Sequence, residues 1–179
     1  MSYHQNTAEH REARRLEALA RLQILDTPSE QAFDDLTELA ARWLDTPIAL
    51  VSLVDDQRQW FKSRVGLTAE QTPREIAFCA HAIQKHELFE VPDAALDDRF
   101  SNNPLVTSDP NIRFYAGMPI ASPDGELVGT LCVIDRVPRQ LSDSQQDTLR
   151  RLARTAEFQL RLRLSLLDSE ERALELEHQ

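Results

Sequence analysis

Cys79 and His81 are the residues of this chain best equipped for chemistry, and they stand two apart in EIAFCAHAI, residues 75–83. A thiol beside an imidazole can be a nucleophile with its base, and the same pair can supply half a metal site. The stretch follows Thr72-Pro73-Arg74-Glu75, with an N-cap hydroxyl, proline at the first helical position and glutamate at the third. The spacing predicts a helix over 73–85. On that helix Ile76, Cys79, Ala80 and Ile83 form one apolar face. His81 lies about 200° around the axis from Cys79, so the two side chains diverge and can form neither an intrahelical dyad nor a shared chelate. A third element can still partner either one. The pattern favours a buried cysteine and a partly exposed histidine at the rim of the helix.

The other cysteine, Cys132, alternates with Val128, Thr130 and Ile134 in a strand pattern and reads as core. Zinc sites need four ligands at fixed spacings, and neither CxxC nor HExxH occurs. No Walker loop, GxSxG or GxGxxG is present, and four glycines are few for a phosphate-cradling loop. These patterns establish no enzyme, no catalytic residue and no metal ligand set. Both thiols lie in apolar segments, which predicts reduced cysteines and a cytoplasmic protein. The first 25 residues carry charge throughout and no apolar stretch of the secretory kind. No 18-residue apolar run suits a membrane. A net charge of −10 argues against nucleic acid. Arg150, Arg151, Arg154, Arg161 and Arg163 then read as a solvated or interface helix face.

These candidates must be positioned by elements. Hydrophobic residues make up 41% of the 179 and charged residues 28%, enough for one domain with its own core. Thr27-Pro28-Ser29-Glu30 and Ser142-Asp143-Ser144-Gln145 repeat the helix-start device, which predicts helices over 29–45 and 143–177. Another helix, over 8–24, precedes them and carries Leu16, Leu19, Ala20 and Leu22. PIALVSLV, residues 47–54, is apolar on both alternating faces, with Ile48, Leu50 and Val54 on one and Ala49, Val51 and Leu53 on the other. Such a strand belongs in the middle of a sheet covered on both sides. Asp55-Asp56 turns the chain into a more exposed return strand over 57–65. Arg113–Ile120 and Leu127–Asp135 flank Ser122-Pro123-Asp124-Gly125 as a second hairpin, and Leu88–Val91 reads as an edge strand.

Residues 92–112 are too long and too rich in proline, aspartate and asparagine for a simple connection. Leu96, Phe100, Leu105 and Val106 give this segment anchors and predict an ordered flap. The flap brings Asp93, Asp97, Asp98, Arg99 and Asn103, and the following strand brings Arg113 and Tyr115, toward the side that the 73–85 helix crosses. Arg99 or Arg113 could grip an anionic ligand group, or pair with the flap's own aspartates and pin it. Asp135 ends a buried strand, where it could cap the turn through Arg136–Arg139 or face a pocket.

The last helix has leucines on two sides. Leu149, Ala153, Ala156, Leu160, Leu164, Leu167 and Leu174 share one face, while Phe158, Leu162, Leu166 and Leu176 lie nearly opposite. One face suits the chain's own sheet and the other a second subunit, or both are covered within the monomer. ERALELEHQ ends without a C-cap, which predicts continuation into a further helix or domain.

Taken together, LDTPSEQAFDDLTELAARWLDTPIALVSLVDDQRQWFKSRVGL, FCAHAI, DAALDDRFSNNPLV, IRFYAGMPI and GELVGTLCVIDRVPRQLSDSQQDTL resemble a GAF domain over roughly residues 22–160. The resemblance implies an α+β, PAS-like fold: a central antiparallel sheet of five or six strands, terminal helices on one face, and a pocket helix and long loop on the other. It implies three parts, an N-terminal bundle helix over 1–25, a GAF core over 26–141 and a signalling and dimerisation helix over 142–179. It resembles bacterial sensory modules beside diguanylate cyclase or histidine kinase domains, of two-component or cyclic-di-GMP signalling. A homodimer, an unidentified small-molecule ligand and a kinase or cyclase output domain are therefore expected, with neither nucleic acid nor membrane as partner. The candidate pocket is Phe78, Cys79, Asp97, Arg99, Phe100, Arg113, Tyr115 and Asp135, and the dimer stripe is Phe158, Leu162 and Leu166. No cofactor is identified: the NKxnFx3DE pattern of cyclic-nucleotide-binding relatives is missing, and Ala80 separates the cysteine from the histidine where bilin-binding relatives pair them. The alternatives are a GAF-fold thiol reductase acting on free methionine sulfoxide and a ligand-free dimerisation module.

Overall fold

The computed structural model describes residues 3–179, with side chains from residue 7 onward; the first two residues of the expected 1–25 segment lie outside the described residues. Six strands, β1 (Ile48–Val54), β2 (Arg58–Val65), β3 (Gln71–Pro73), β4 (Phe89–Val91), β5 (Phe114–Ala121) and β6 (Leu127–Asp135), form one antiparallel sheet in the order β3-β2-β1-β6-β5-β4. Every residue of β1 and of β6 is buried, as an apolar run without alternation requires of central strands covered on both sides. Helices α1 (Tyr3–Arg21), α2 (Gln31–Leu44) and α5 (Asp143–Glu177) cover one face. Two short helices, α3 (Phe78–Ala82) and α4 (Pro104–Thr107), lie with their loops on the other. This is the α+β arrangement expected from the sequence.

The helix layer packs Leu22, Leu44, Leu149 and Leu160 against Val51, Leu131 and Ala116, all fully buried. Each such leucine contributes about 1.5–3 kcal/mol of burial. α5 starts where Ser142 and Gln145 form the expected reciprocal box, Gln145 N–H to Ser142 Oγ at 3.1 Å and Ser142 N–H to Gln145 Oε1 at 2.9 Å. Arg163 Nε then donates to Leu22 O at 2.6 Å, fastening α5 to the end of α1.

Four local expectations are corrected. Thr27 is not a cap: its hydroxyl donates to Ile24 O at 2.5 Å, and α2 starts after Glu30 without a side-chain cap. Thr72-Pro73 does not open a helix over 73–85. It ends β3, an edge strand where proline's missing donor is tolerated, and a 3-10 turn over Arg74–Ile76 separates it from the five-residue α3. The return strand β2 is mostly buried rather than exposed. Val128 does not share a face with Thr130 and Cys132, because a register shift opposite Ile120-Ala121 turns it into the helix layer.

Candidate functional site

The site is the second layer, between the sheet and the roof formed by the 3-10 turn, α3 and the flap. Because α3 starts at Phe78, its inward face is Phe78, Cys79, Ala82 and Ile83; Ile76 and Ala80, expected on that face, are only half-buried. His81 is exposed at the rim, as its angular distance from Cys79 predicts. The flap is anchored by Phe100 and Val106, buried like Ile112, whereas the expected anchor Leu96 is 83% exposed. Asn103 holds flap and roof together: its Oδ1 caps α4 through Leu105 N–H at 2.9 Å and its Nδ2 donates to Ile76 O at 3.0 Å.

An aromatic block fills the space beneath the roof. Phe78 stacks on Phe100 at 4.1 Å between centroids, Tyr115 lies 5.2 Å from Phe78, and Phe89 meets both Phe100 and Tyr115 edge-on. Offset and edge contacts of this kind add to plain area burial. Arg99 lies over Phe89 and Phe100 at 5.1 and 5.3 Å and is gripped by Asp97 at 2.9 and 2.6 Å. The hydrogen bond from Arg99 holds the Asp97 carboxyl below its ordinary range. Burial, and then the nearby Arg99 charge, lower His81.

Deeper in the layer lies a polar cluster. Cys79 Sγ is 3.1 Å from Tyr115 Oη and 3.1 Å from Thr130 Oγ1. Cys132, two residues along β6 from Thr130, is fully buried in the same layer. Alongside, Ser52 Oγ donates to Gln59 Oε1 at 3.0 Å, and Gln59 Nε2 donates to Thr72 Oγ1 at 2.6 Å. Burial acts to raise the Cys79 thiol, but its polar neighbours Cys132, Ser52, Thr130 and Tyr115 outweigh it and bring it to about 6. Burial, followed by the interaction with Cys79, drives Cys132 well above its ordinary value. Tyr115 is pushed up by burial and by both thiols. Gly117 makes the arrangement possible, since a Cβ there would collide with the Tyr115 hydroxyl and ring.

Of the eight expected pocket residues, Phe78, Cys79, Phe100 and Tyr115 meet in this layer, and Asp97 and Arg99 pair at its rim. Arg113 does not reach it as a ligand grip: its Nη1 donates to Val106 O at 2.9 Å and Ile112 O at 3.0 Å and pins the flap. Asp135 takes the turn-capping role, accepting from Arg136 N–H at 2.6 Å and pairing with Arg139, which in turn donates to Leu44 O at 2.8 Å. Ser52, Gln59, Thr130 and Gly117 were not singled out from sequence, and Cys132 was assigned to plain core. The available signal was a lone polar residue in each apolar run, Ser52 in PIALVSLV and Thr130 in GTLCVID. Two clefts flank His81 outside the roof, one of about 640 Å³ beside Arg74 and Gln84 and one of about 490 Å³ beside Phe89 and Arg99. Among the described residues no three His, Cys, Asp or Glu side chains group to hold a metal, and no helix is long and apolar enough to cross a membrane.

The model of the GAF domain family matches residues 28–160. A cyclic di-GMP phosphodiesterase of Pseudomonas aeruginosa is 49% identical over 119 residues, which cover 66% of this chain and 20% of that protein. The chain thus spans about a fifth of that relative's length. Among solved structures, a domain of a two-component sensor histidine kinase protein from Sinorhizobium meliloti superposes with a TM-score of 0.65 at 18% identity, covering 81% of this chain and 99% of that one. The GAF domain of an Acinetobacter phosphoenolpyruvate-protein phosphotransferase gives 0.60 at 17%, with 89% and 94% covered. The free methionine-R-sulfoxide reductase of Neisseria meningitidis gives 0.59 at 15%, with 80% and 86% covered.

Proposed function

The chain belongs to the GAF domain family, and from that premise we propose that it is a sensory module which pairs with a second copy through α5 and passes the state of its roof layer to an output domain. The observation that carries this is the outer stripe of α5. Phe158, Leu162 and Leu166 are 51%, 43% and 63% exposed, opposite the buried Leu149, Ala153, Ala156 and Leu160. The last buried residue of α5 is Leu160, yet the helix runs on to Glu177, roughly 25 Å beyond it at about 1.5 Å per residue. An apolar stripe on a helix that outruns its own core is suited to a helix of a second subunit. The identity to a cyclic di-GMP phosphodiesterase supports an output of that class. In this reading residues 26–141 receive the signal and 142–179 transmit it, while the turn after α1 braces the transmitting helix through Leu22 and Arg163.

Size-exclusion chromatography with light scattering tests the pairing. Wild type elutes as a dimer and Phe158→Glu with Leu162→Glu as a folded monomer; a monomeric wild type overturns the reading.

The clefts beside His81 offer a small molecule room, whereas the interior is occupied by Phe78, Phe100 and Tyr115, each at most 2% exposed. A ligand that entered the interior would have to displace that aromatic block, so regulation by this route couples to roof opening. A reductase acting on free methionine sulfoxide is disfavoured by the same block, which screens Cys79 from a substrate of that size.

A further inference from the structure

We infer that Cys79 and Cys132 are a redox-active pair which a hydroperoxide converts to an intrachain disulfide, fastening the roof to the central strand. The proposal is independent of dimerisation and of any small-molecule ligand.

The geometry is specific to these two thiols. Cys132 sits on β6 between Leu50 of β1 and Gly117 of β5, with its side chain in the roof layer. Cys79 descends from α3 into the same layer. Both are free, at 2% and 0% exposure. Cys79 Sγ lies 3.1 Å from the hydroxyl of Thr130, which stands two residues before Cys132 on β6, and 3.1 Å from the Tyr115 hydroxyl on the neighbouring strand, and each thiol perturbs the ionisation of the other. Gly117, directly across from Cys132, leaves open the lane by which the Tyr115 phenol reaches this cluster.

The two sulfurs also differ in the way a nucleophile and a resolving thiol differ. The Tyr115 and Thr130 hydroxyls meet Cys79 Sγ at 3.1 Å each and favour its thiolate against the opposing cost of burial, while Cys132 stays protonated. The Cys79 thiolate attacks one oxygen of the hydroperoxide. The O–O bond breaks, Cys79 becomes a sulfenic acid, and the departing oxygen leaves as hydroxide or alkoxide and takes a proton from solvent. The Cys132 sulfur then attacks the Cys79 sulfur, the S–O bond breaks, and water leaves carrying the Cys132 proton. Two thiols are oxidised, one peroxide is reduced, and two hydrogens are lost from the chain. Hydrogen peroxide is little larger than water, so a local opening of the five-residue α3 suffices for it. The product ties residue 79 to residue 132 and removes that opening.

The test treats the reduced full chain with hydrogen peroxide, alkylates the remaining thiols, and reads intact mass and peptide maps. The expected result is loss of both titratable thiols, a mass lower by two hydrogens, and a Cys79–Cys132 cross-linked peptide. Cys132→Ser should stop at a dimedone-trapped sulfenic acid on Cys79, and Cys79→Ser should leave Cys132 unmodified over the same period. Both thiols persisting in wild type, after a peroxide exposure that fully oxidises free cysteine, overturns the proposal. So do disulfides only between chains, or equal oxidation of Cys132 in Cys79→Ser. The wild-type peptide map decides the matter even where a serine variant folds poorly.

Discussion

Neighbouring positions of the central strand pair enter two different environments. On the helix side Ala49 faces Val133 and Val51 faces Leu131; on the roof side Leu50 faces Cys132 and Ser52 faces Thr130. The helix layer does hold buried polar groups, but at its margin: Lys62 donates to Pro28 O at 2.6 Å, and the Ser63 hydroxyl meets Thr37 at 2.8 Å, both from β2. In the roof layer the hydroxyls and thiols occupy the middle. A buried polar group costs free energy unless it is bonded, and here Ser52, Gln59 and Thr72 bond in one chain and Tyr115, Cys79 and Thr130 in another. An apolar centre tolerates small shifts in packing; a hydrogen-bonded centre needs its partners in register and loses several contacts together when one moves. The helix layer is therefore suited to stability and to carrying α5, and the roof layer to having two states.

The largest effect expected from this contrast is on the helix side. Leu149→Ala removes a fully buried side chain between α5 and the sheet and should cost about 2–5 kcal/mol. Loss of the whole fold should be cooperative, so urea unfolding followed by far-ultraviolet circular dichroism and by tryptophan fluorescence, from Trp43 on α2 and the buried Trp60 of the helix layer, should give coincident transitions at a lower midpoint. Separated transitions would mean that the helix layer is not the common support of both faces.

A smaller and more local effect is expected on the roof side. Gly117→Ala sets a methyl group against the Tyr115 phenol and should cost about 1–3 kcal/mol as overpacking. Amide exchange should accelerate over residues 74–85 while α2 and α5 keep their protection. Uniform acceleration across both layers would erase the distinction drawn here.

The helix layer was the more legible of the two in the sequence. Its signals are local or periodic: the Ser142 box, the two leucine faces of α5, the doubly apolar run of β1. The roof layer was read correctly where one helical angle sufficed, with Cys79 turned inward and His81 outward. It was misread where contacts are distant in sequence. Thr72-Pro73-Arg74-Glu75 has the composition of a helix start, but Arg74 spends its guanidinium on Glu12 and Asp55 O instead of leading a helix. Leu96 looks like an anchor and stands in solvent. Cys132 looks like core because nothing in its own strand reveals that Cys79 and Tyr115 arrive above it.

The smallest effect expected concerns the tie between the two layers. Arg15 of α1 is 6% exposed; it donates to Val54 O at the end of β1 and is gripped by Glu12 at 3.0 and 2.8 Å. The same carboxylate takes Arg74 Nη1 at 2.5 Å, and Arg74 begins the turn that leads into α3. The hydrogen bond from Arg15, opposed by partial burial and reinforced by Arg74, lowers the Glu12 carboxyl from 4.5 to about 2. A carboxyl with a lowered folded-state pKa binds fewer protons folded than unfolded below its ordinary value. Its contribution is thus complete above about pH 4.5 and is lost as pH falls toward about 2. Glu12 keeps 36% side-chain exposure, so solvent screening reduces its worth to about 1 kcal/mol. Glu12→Gln should lower the urea midpoint near pH 6, and the gap to wild type should close steadily between pH 4.5 and pH 3, inside the window set by those two values. It should also quicken amide exchange in residues 74–83 more than in α2, because the lost carboxylate is what holds the roof's first turn to α1. A gap that does not change with pH would assign Glu12 to packing alone and leave the two layers without a charged tie.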